Sequence, residues 1–258
     1  MKKLLLLILM LMLILVHCDN KENNNIENSE TIQTFIVNGV SFDMIFVKGG
    51  TFIMGATEEQ GSDIYDSEKP AHQVTLNSYS IGKTEVTQAL WKAVMGNKAF
   101  HFKGDNLPVD GVSWNDCQIF IKKLNKLTGE NFRLPTEAEW EFAARGGNLS
   151  KGYKYAGSNN INDVAWVGCW ETQIVATKLP NELGIFDMSG NVSEWCQDWY
   201  NSYSSLSQIK PQGPSVSSRR VFQGGSWNDN SEHCWVSSRC SKPDHRKNDM
   251  GFRLCLPE

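Results

Sequence analysis

From Gly147 to the carboxyl end, no stretch of the chain holds a helical period. Apolar residues there come in short runs, broken every few positions by glycine, asparagine or serine. A long segment of this kind excludes a helix bundle, whose helices need apolar residues recurring every three or four positions. Nine tryptophans and 21 glycines against eight prolines agree, pointing to a loop-rich fold held by aromatic packing. Regular elements are concentrated in the first half. Phe35-Ile36-Val37 and Met44-Ile45-Phe46-Val47 flank Asn38-Gly39, the pair that supplies the positive φ angles of a tight hairpin. Three helices follow. The first is expected from Thr84 to Met95, with Val86, Leu90, Trp91 and Val94 on one face and Gly96 past its end. The second starts at Ser113, buries Cys117, Phe120, Ile121, Leu124 and Leu127, and stops at Gly129. The third opens on Thr136-Glu137-Ala138-Glu139, the spacing of a capping box. The class is α+β with much irregular structure, in one domain over residues 35–258.

The amino end reads as an export signal. Lys2 and Lys3 precede an unbroken apolar run from Leu4 to Val16, too short for a comfortable membrane span. His17-Cys18 follows, and a cysteine at that place is where bacterial lipoproteins are cut and lipidated. His17 departs from the small residue usual there. We expect a signal peptide over 1–17, a lipid on Cys18, and a polar tether over 18–34 whose Asn, Glu and Ser cannot build a core. The chain would then be lipid-anchored at the bacterial outer membrane or cell surface. Lys plus Arg number 25 and Asp plus Glu 29, a formal charge of −4. That balance argues against a nucleic-acid binder, whose phosphate contacts need a basic face. Six further cysteines, at 117, 169, 196, 234, 240 and 255, leave 15 possible pairings and no zinc-type spacing.

Several blocks, in order along the chain, resemble the formylglycine-generating-enzyme (sulfatase-modifying-factor) family. They are Val47-Lys48-Gly49-Gly50-Thr51-Phe52-Ile53-Met54-Gly55, Lys83-Thr84-Glu85-Val86-Thr87, Phe132-Arg133-Leu134-Pro135-Thr136-Glu137-Ala138-Glu139-Trp140, Gly190-Asn191-Val192-Ser193-Glu194-Trp195, Gly224-Gly225-Ser226-Trp227 and Gly251-Phe252-Arg253-Leu254. The resemblance implies an elaborated C-type-lectin-like fold. The family's enzymes use two cysteines five residues apart, a soft pair suited to Cu(I). Here Cys234 matches the second, and Asp229 stands where the first would be. A carboxylate cannot do thiol work, so we expect no enzyme and no required cofactor. Asp187 and Glu194, with the carbonyls of Gly190 and Val192, match the enzymes' calcium site, so a structural calcium is the one metal the resemblance implies.

The last segment, 224–254, carries a second pattern. Residues of fixed character (Gly224, Gly225, Ser226, Trp227, Cys234, Arg239, Pro243, Arg246, Gly251 to Leu254) alternate with residues of arbitrary character. The latter are Asn228, Asp229, Asn230, Glu232, His233, Trp235, Ser238, Cys240, Ser241, Lys242, His245, Lys247, Asn248 and Asp249. This layout resembles the variable region of diversity-generating-retroelement proteins, in which adenine-specific mutagenesis scatters residues from Asn codons. Asp, Ser, His and Cys arise readily that way; Trp235, Glu232, Lys242 and Lys247 do not. The resemblance implies a non-enzymatic surface protein that binds a protein or other surface ligand through outward side chains of 224–254. A static, non-catalytic envelope lipoprotein of the same fold is the alternative, and a formylglycine-generating oxidase the remotest reading.

Overall fold

The computed structural model describes residues 32–62 and 64–258. The proposed leader, Cys18 and most of the tether lie outside the described residues. In chain order, strands β1 (Ile32–Val37), β2 (Val40–Val47), β3 (Thr51–Met54), β4 (His72–Thr75) and β5 (Tyr79–Gly82) come first. Helices α1 (Gln88–Met95), α2 (Trp114–Thr128), α3 (Glu137–Ala144) and the single turn α4 (Ile161–Val164) follow. The chain closes with β6 (Ser193–Trp199), β7 (Gln208–Ile209), β8 (Arg220–Gln223), β9 (Arg239–Lys242), β10 (Met250–Gly251) and β11 (Cys255–Pro257). β1 thus begins inside the segment read as tether, whose last residues, 32–34, are strand.

Asn38 and Gly39 both take positive φ, 49° and 83°, and close the β1–β2 hairpin as expected. These strands continue into a sheet of order β1-β2-β5-β11. A second sheet has the order β10-β6-β8-β9, and a third β3-β4-β7. The carboxyl end therefore returns to the amino end, β11 pairing antiparallel with β5 and exchanging backbone hydrogen bonds with Arg133 at 2.8 Å.

The helices start where their caps dictate. Ser113 and Asp116 form a capping box on α2, and Thr136 and Glu139 one on α3. α1 starts later than its apolar spacing suggested. Thr87, itself extended, accepts the Leu90 amide. The Val86 amide donates to the Phe252 carbonyl, and the Val86 carbonyl accepts from Val109. A cap and a strand-like ladder override the helical period at residues 84–87.

Two apolar clusters fill the interior. In one, Phe252 sits edge-on to Phe120 at 5.3 Å, and Phe120 stacks on Trp91 at 5.3 Å, joining α1 and α2 to the carboxyl end. In the other, Trp140 and Tyr79 are fully buried with Ile81, Phe142 and Ile185. Residues 33–258 form one compact unit. All six described cysteines are free thiols. Among the described residues no helix is long and apolar enough to cross a membrane.

Candidate ligand-binding face

The C-terminal segment leaves β8 through Gly224 and Gly225, at φ 93° and 66°. No side chain fits at Gly225, because a Cβ there would lie 2.8 Å from both the Cys234 sulfur and the His233 carbonyl. The Trp227 amide then donates to Asn191, its carbonyl accepts from Cys169, and its ring meets Phe102 edge-on at 5.4 Å. A 3-10 turn, Ser231–Cys234, leads into β9, the outer strand of its sheet.

Three arginines fasten this segment to the rest of the molecule. Arg239 is buried, makes a two-pronged pair with Glu137 of α3, and donates at 2.9 Å to the Asn201 carbonyl. Arg253 is fully buried and grips Glu194 of β6 with Nε and Nη2, both at 2.6 Å. Arg246, in the exposed 243–249 loop, makes the same two-pronged contact with Asp116 of α2. Charge-assisted pairs of this geometry fix position as well as supplying energy.

The residues of arbitrary character divide by depth. Asn228, Asn230, His245 and Lys247 are exposed. Asp229, Glu232, His233, Cys240, Ser241, Lys242 and Asn248 are partly buried. Trp235, Ser238 and Asp249 are buried, which corrects the outward placement expected for them. The 3-10 turn swings Trp235 inward against Tyr155, Val164 and Cys234. Ser238 closes the following turn, its amide donating to the Trp235 carbonyl at 3.0 Å. Asp249 is held by the Ser193 amide on its carbonyl and by Lys247 on its carboxylate.

Several partly buried members converge on a cleft of about 200 Å³, lined by Asp229, His233, Ser238, Cys240, Lys242 and the β8 residues Phe222 and Gln223. Phe222 and Gln223 escaped the sequence reading. The signal was the polar Gln223 ending a Val-Phe strand just before two glycines. Gln223 is buried, yet its Oε1 has no hydrogen-bond partner. His233 stacks on Tyr65 at 5.8 Å, and its Nδ1 lies 3.9 Å from Asp229 Oδ1. Lys242 Nζ sits over the Phe222 ring at 4.9 Å, and desolvation lowers its pKa. Ser226 donates to Asp229 Oδ2 at 2.5 Å. The cleft thus offers acceptors, an ammonium and an imidazole, but no activated nucleophile. Burial, reinforced by Asp229 and Glu232, pushes the Cys234 thiol up, and burial raises Cys240 as well.

The calcium donors match poorly. Both Glu194 oxygens accept from Arg253, and Oε2 also accepts from the Trp140 indole at 2.8 Å. Asp187 accepts the Ala176 amide at 2.7 Å, and burial pushes its carboxyl up to about 6. Asp187 and Glu194 therefore do not form a free carboxylate pair for a hard cation, since a guanidinium already neutralises Glu194. Among the described residues, no group of three His, Cys, Asp or Glu side chains is placed to hold a metal ion.

The model of the sulfatase-modifying factor enzyme 1-like domain matches residues 30–256. The chain belongs to this family. Within it, the chain is 34% identical to chaperone protein LppX of Paenibacillus barcinonensis, covering 73% of this chain and 79% of that protein. It is 34% identical to the formylglycine-generating enzyme of Thermomonospora curvata, covering 80% and 71%. Among solved structures, Treponema denticola variable protein 1 superposes with a TM-score of 0.81 at 31% identity, covering 88% of this chain and 99% of that one. PvdO from Pseudomonas aeruginosa shares the fold at 23% identity, with a TM-score of 0.75. The sulfatase-modifying-factor family thus spans enzymes and a variable protein, and this chain has the family's α+β, C-type-lectin-like fold. Membership fixes the architecture; activity has to be argued from the site.

Proposed function

We propose that this chain is a non-catalytic, exported ligand-binding protein, lipid-anchored through Cys18. It meets its ligand through the exposed and half-exposed side chains of 228–249. The observation that carries this reading is the division within one segment. Arg239, Arg253, Trp227 and Phe252 are buried and paired or packed, while Asn228, Asn230, His245 and Lys247 project from the same backbone. Substitution at projecting positions changes stability little, so such a face can vary while its frame stays fixed. A rigid frame also lowers the ordering cost of binding. The likeness to the Treponema denticola variable protein supports diversification of this face. The carboxylate of Asp229 in the place of a thiolate supports the absence of oxidase chemistry.

The decisive experiment is on DNA. Diversification requires a near-copy of the 224–254 coding stretch with Asn codons at the scattered positions, close to a reverse-transcriptase gene. A source genome without that copy removes diversification and leaves the static envelope reading. Catalysis is tested by incubating the purified protein with Cu(I), oxygen and a peptide bearing a sulfatase cysteine motif. No aldehyde product is expected, and a stoichiometric yield of aldehyde would overturn the non-catalytic reading. Radiolabelled palmitate should enter the wild-type chain and not Cys18→Ser.

A further inference from the structure

A second cleft, of about 410 Å³, lies where β6 ends and the chain between 201 and 214 folds over it. The linings of the two clefts have no residue in common; Arg239, a frame residue of the C-terminal segment, lines only this one. Met54, Trp199, Tyr203, Pro211 and Pro214 give it apolar walls. Glu137 and Asp198 give it two carboxylates, and His72, its ring 4.8 Å from that of Tyr203, is a further titratable group in the lining.

The carboxylates differ in how they are satisfied. Glu137 is fully engaged, with Arg239 on both oxygens and the Tyr203 hydroxyl donating to Oε1 at 3.0 Å. Asp198 is 4% exposed, and its Oδ2 accepts the Glu137 amide at 2.9 Å. Among the described residues no donor reaches its Oδ1. A Cβ at Gly213 would stand 3.3 Å from that oxygen, so the absent side chain leaves space beside it. Among the described residues no cation hydrogen-bonds or ion-pairs with Asp198, although Arg220 nearby has an Nε without a partner. Arg239 belongs to Glu137. Arg220 is clamped between the Trp114 and Trp199 rings and donates to the Gln197 carbonyl at 2.8 Å. Arg133 is paired with Glu139. A carboxylate on a buried residue, with one oxygen free of hydrogen bonds and no cation paired to it in an apolar-walled cleft, is an arrangement that a ligand cation completes.

We propose that this cleft binds a small organic cation, an alkylguanidinium or alkylammonium, whose N–H groups donate to Asp198 Oδ1 while its alkyl part lies against Trp199, Tyr203 and the prolines. The volume suits a small molecule or a single side chain. Without a cationic partner Asp198 keeps its proton, because burial and the neighbouring Glu137 push its pKa up to about 8. Glu139 adds to that push and Arg239 opposes it. Binding at neutral pH therefore exchanges one proton, released to solvent, for one cation.

The test uses the full chain and four probes: propylguanidinium, propylammonium, neutral propylurea and acetyl-Gly-Arg-Gly-amide. Binding is followed by amide and indole NMR shifts at Trp199 and residues 201–204. Propylguanidinium or propylammonium is expected to bind with Kd of about 1 mM. Affinity should rise about tenfold per pH unit from about 6 to 8 and then level off, as the competing proton is removed. Propylurea should bind at least about tenfold more weakly, and Asp198→Asn, which keeps an acceptor for the Glu137 amide, should lose about tenfold or more for the cations. Tighter binding of the tripeptide than of the free ions would support the site and make a partner's basic side chain its ligand; weaker binding would support a free small molecule. If the Asn variant fails to fold, the wild-type pH profile decides. Equal affinity for propylurea and propylguanidinium, a flat profile, or no shifts at about 20 mM probe would each overturn the proposal.

Discussion

Arg253 and Arg246 make the same contact in two different solvents. Each guanidinium meets a carboxylate through two nitrogens at 2.6 Å. The Arg253–Glu194 side chains are 0% and 1% exposed, whereas those of Arg246 and Asp116 are 65% and 16% exposed. Distances alone would rank these pairs as equals. Removing one partner inside leaves a desolvated charge unpaired, while removing one outside leaves a group that water satisfies. The difference separates the frame of the C-terminal segment from its loop, and it defines where sequence change is tolerated.

The sharpest way to break this comparison is Arg253→Met. It should cost about 3–5 kcal/mol, because Glu194 would keep only the Trp140 indole. In urea unfolding, the double variant Arg253→Met, Glu194→Gln should recover part of that loss. A change under about 1 kcal/mol would show that depth does not govern these pairs. Next comes Gly225→Ala, expected to cost about 1–3 kcal/mol through overpacking against Cys234 and the His233 carbonyl. Little change in the unfolding midpoint would mean that the 224–234 backbone is softer than the frame it is assigned to.

A third effect comes from Asp198. Its folded pKa of about 8 lies above the ordinary 3.8, so the folded state holds a proton that the unfolded state has lost across that interval. Stability from this group should fall as pH rises from about 4 to 8 and then stay level. The melting temperature of wild type should drop by about 3 °C or more between pH 5 and 8, and Asp198→Asn should flatten that slope. An unchanged slope in the variant would transfer the effect to Glu141, whose carboxyl burial pushes up to about 7. Arg246→Ala should move the melting temperature by about 1 °C or less, and less still in high salt. Smallest of all, Asn230→Ala and His245→Ala should stay within about 0.5 kcal/mol of wild type. A larger loss at either would move that residue from loop to frame.

Local chemistry was legible in the sequence, and long-range pairing was not. Asn38-Gly39 announced the hairpin, and Ser113 and Thr136 announced their helices, because each turn or cap is decided within four residues. The block order identified the fold before any coordinates. Strands β8 and β9 read only as turns and aromatic residues, because their order is set by partners distant in sequence. The inward turn of Trp235 depends on a short 3-10 segment that a fixed-and-arbitrary alternation cannot reveal. Glu194 looked available to a cation because its true partner, Arg253, is distant in sequence. Asp198 passed unnoticed in Cys-Gln-Asp-Trp-Tyr for the same reason, since its neighbours Glu137 and Gly213 come from distant parts of the sequence.

The free thiols have a practical consequence. Cys169 and Cys240 are half-buried, while Cys117, Cys196, Cys234 and Cys255 are buried at separate points of the interior. Among the six described cysteines, a bulky maleimide added to the native protein should therefore tag two at first, and the other four only as the regions around them open. Mass spectrometry of the tagged ladder would date the loosening of each region along a denaturant ramp, with no engineered label.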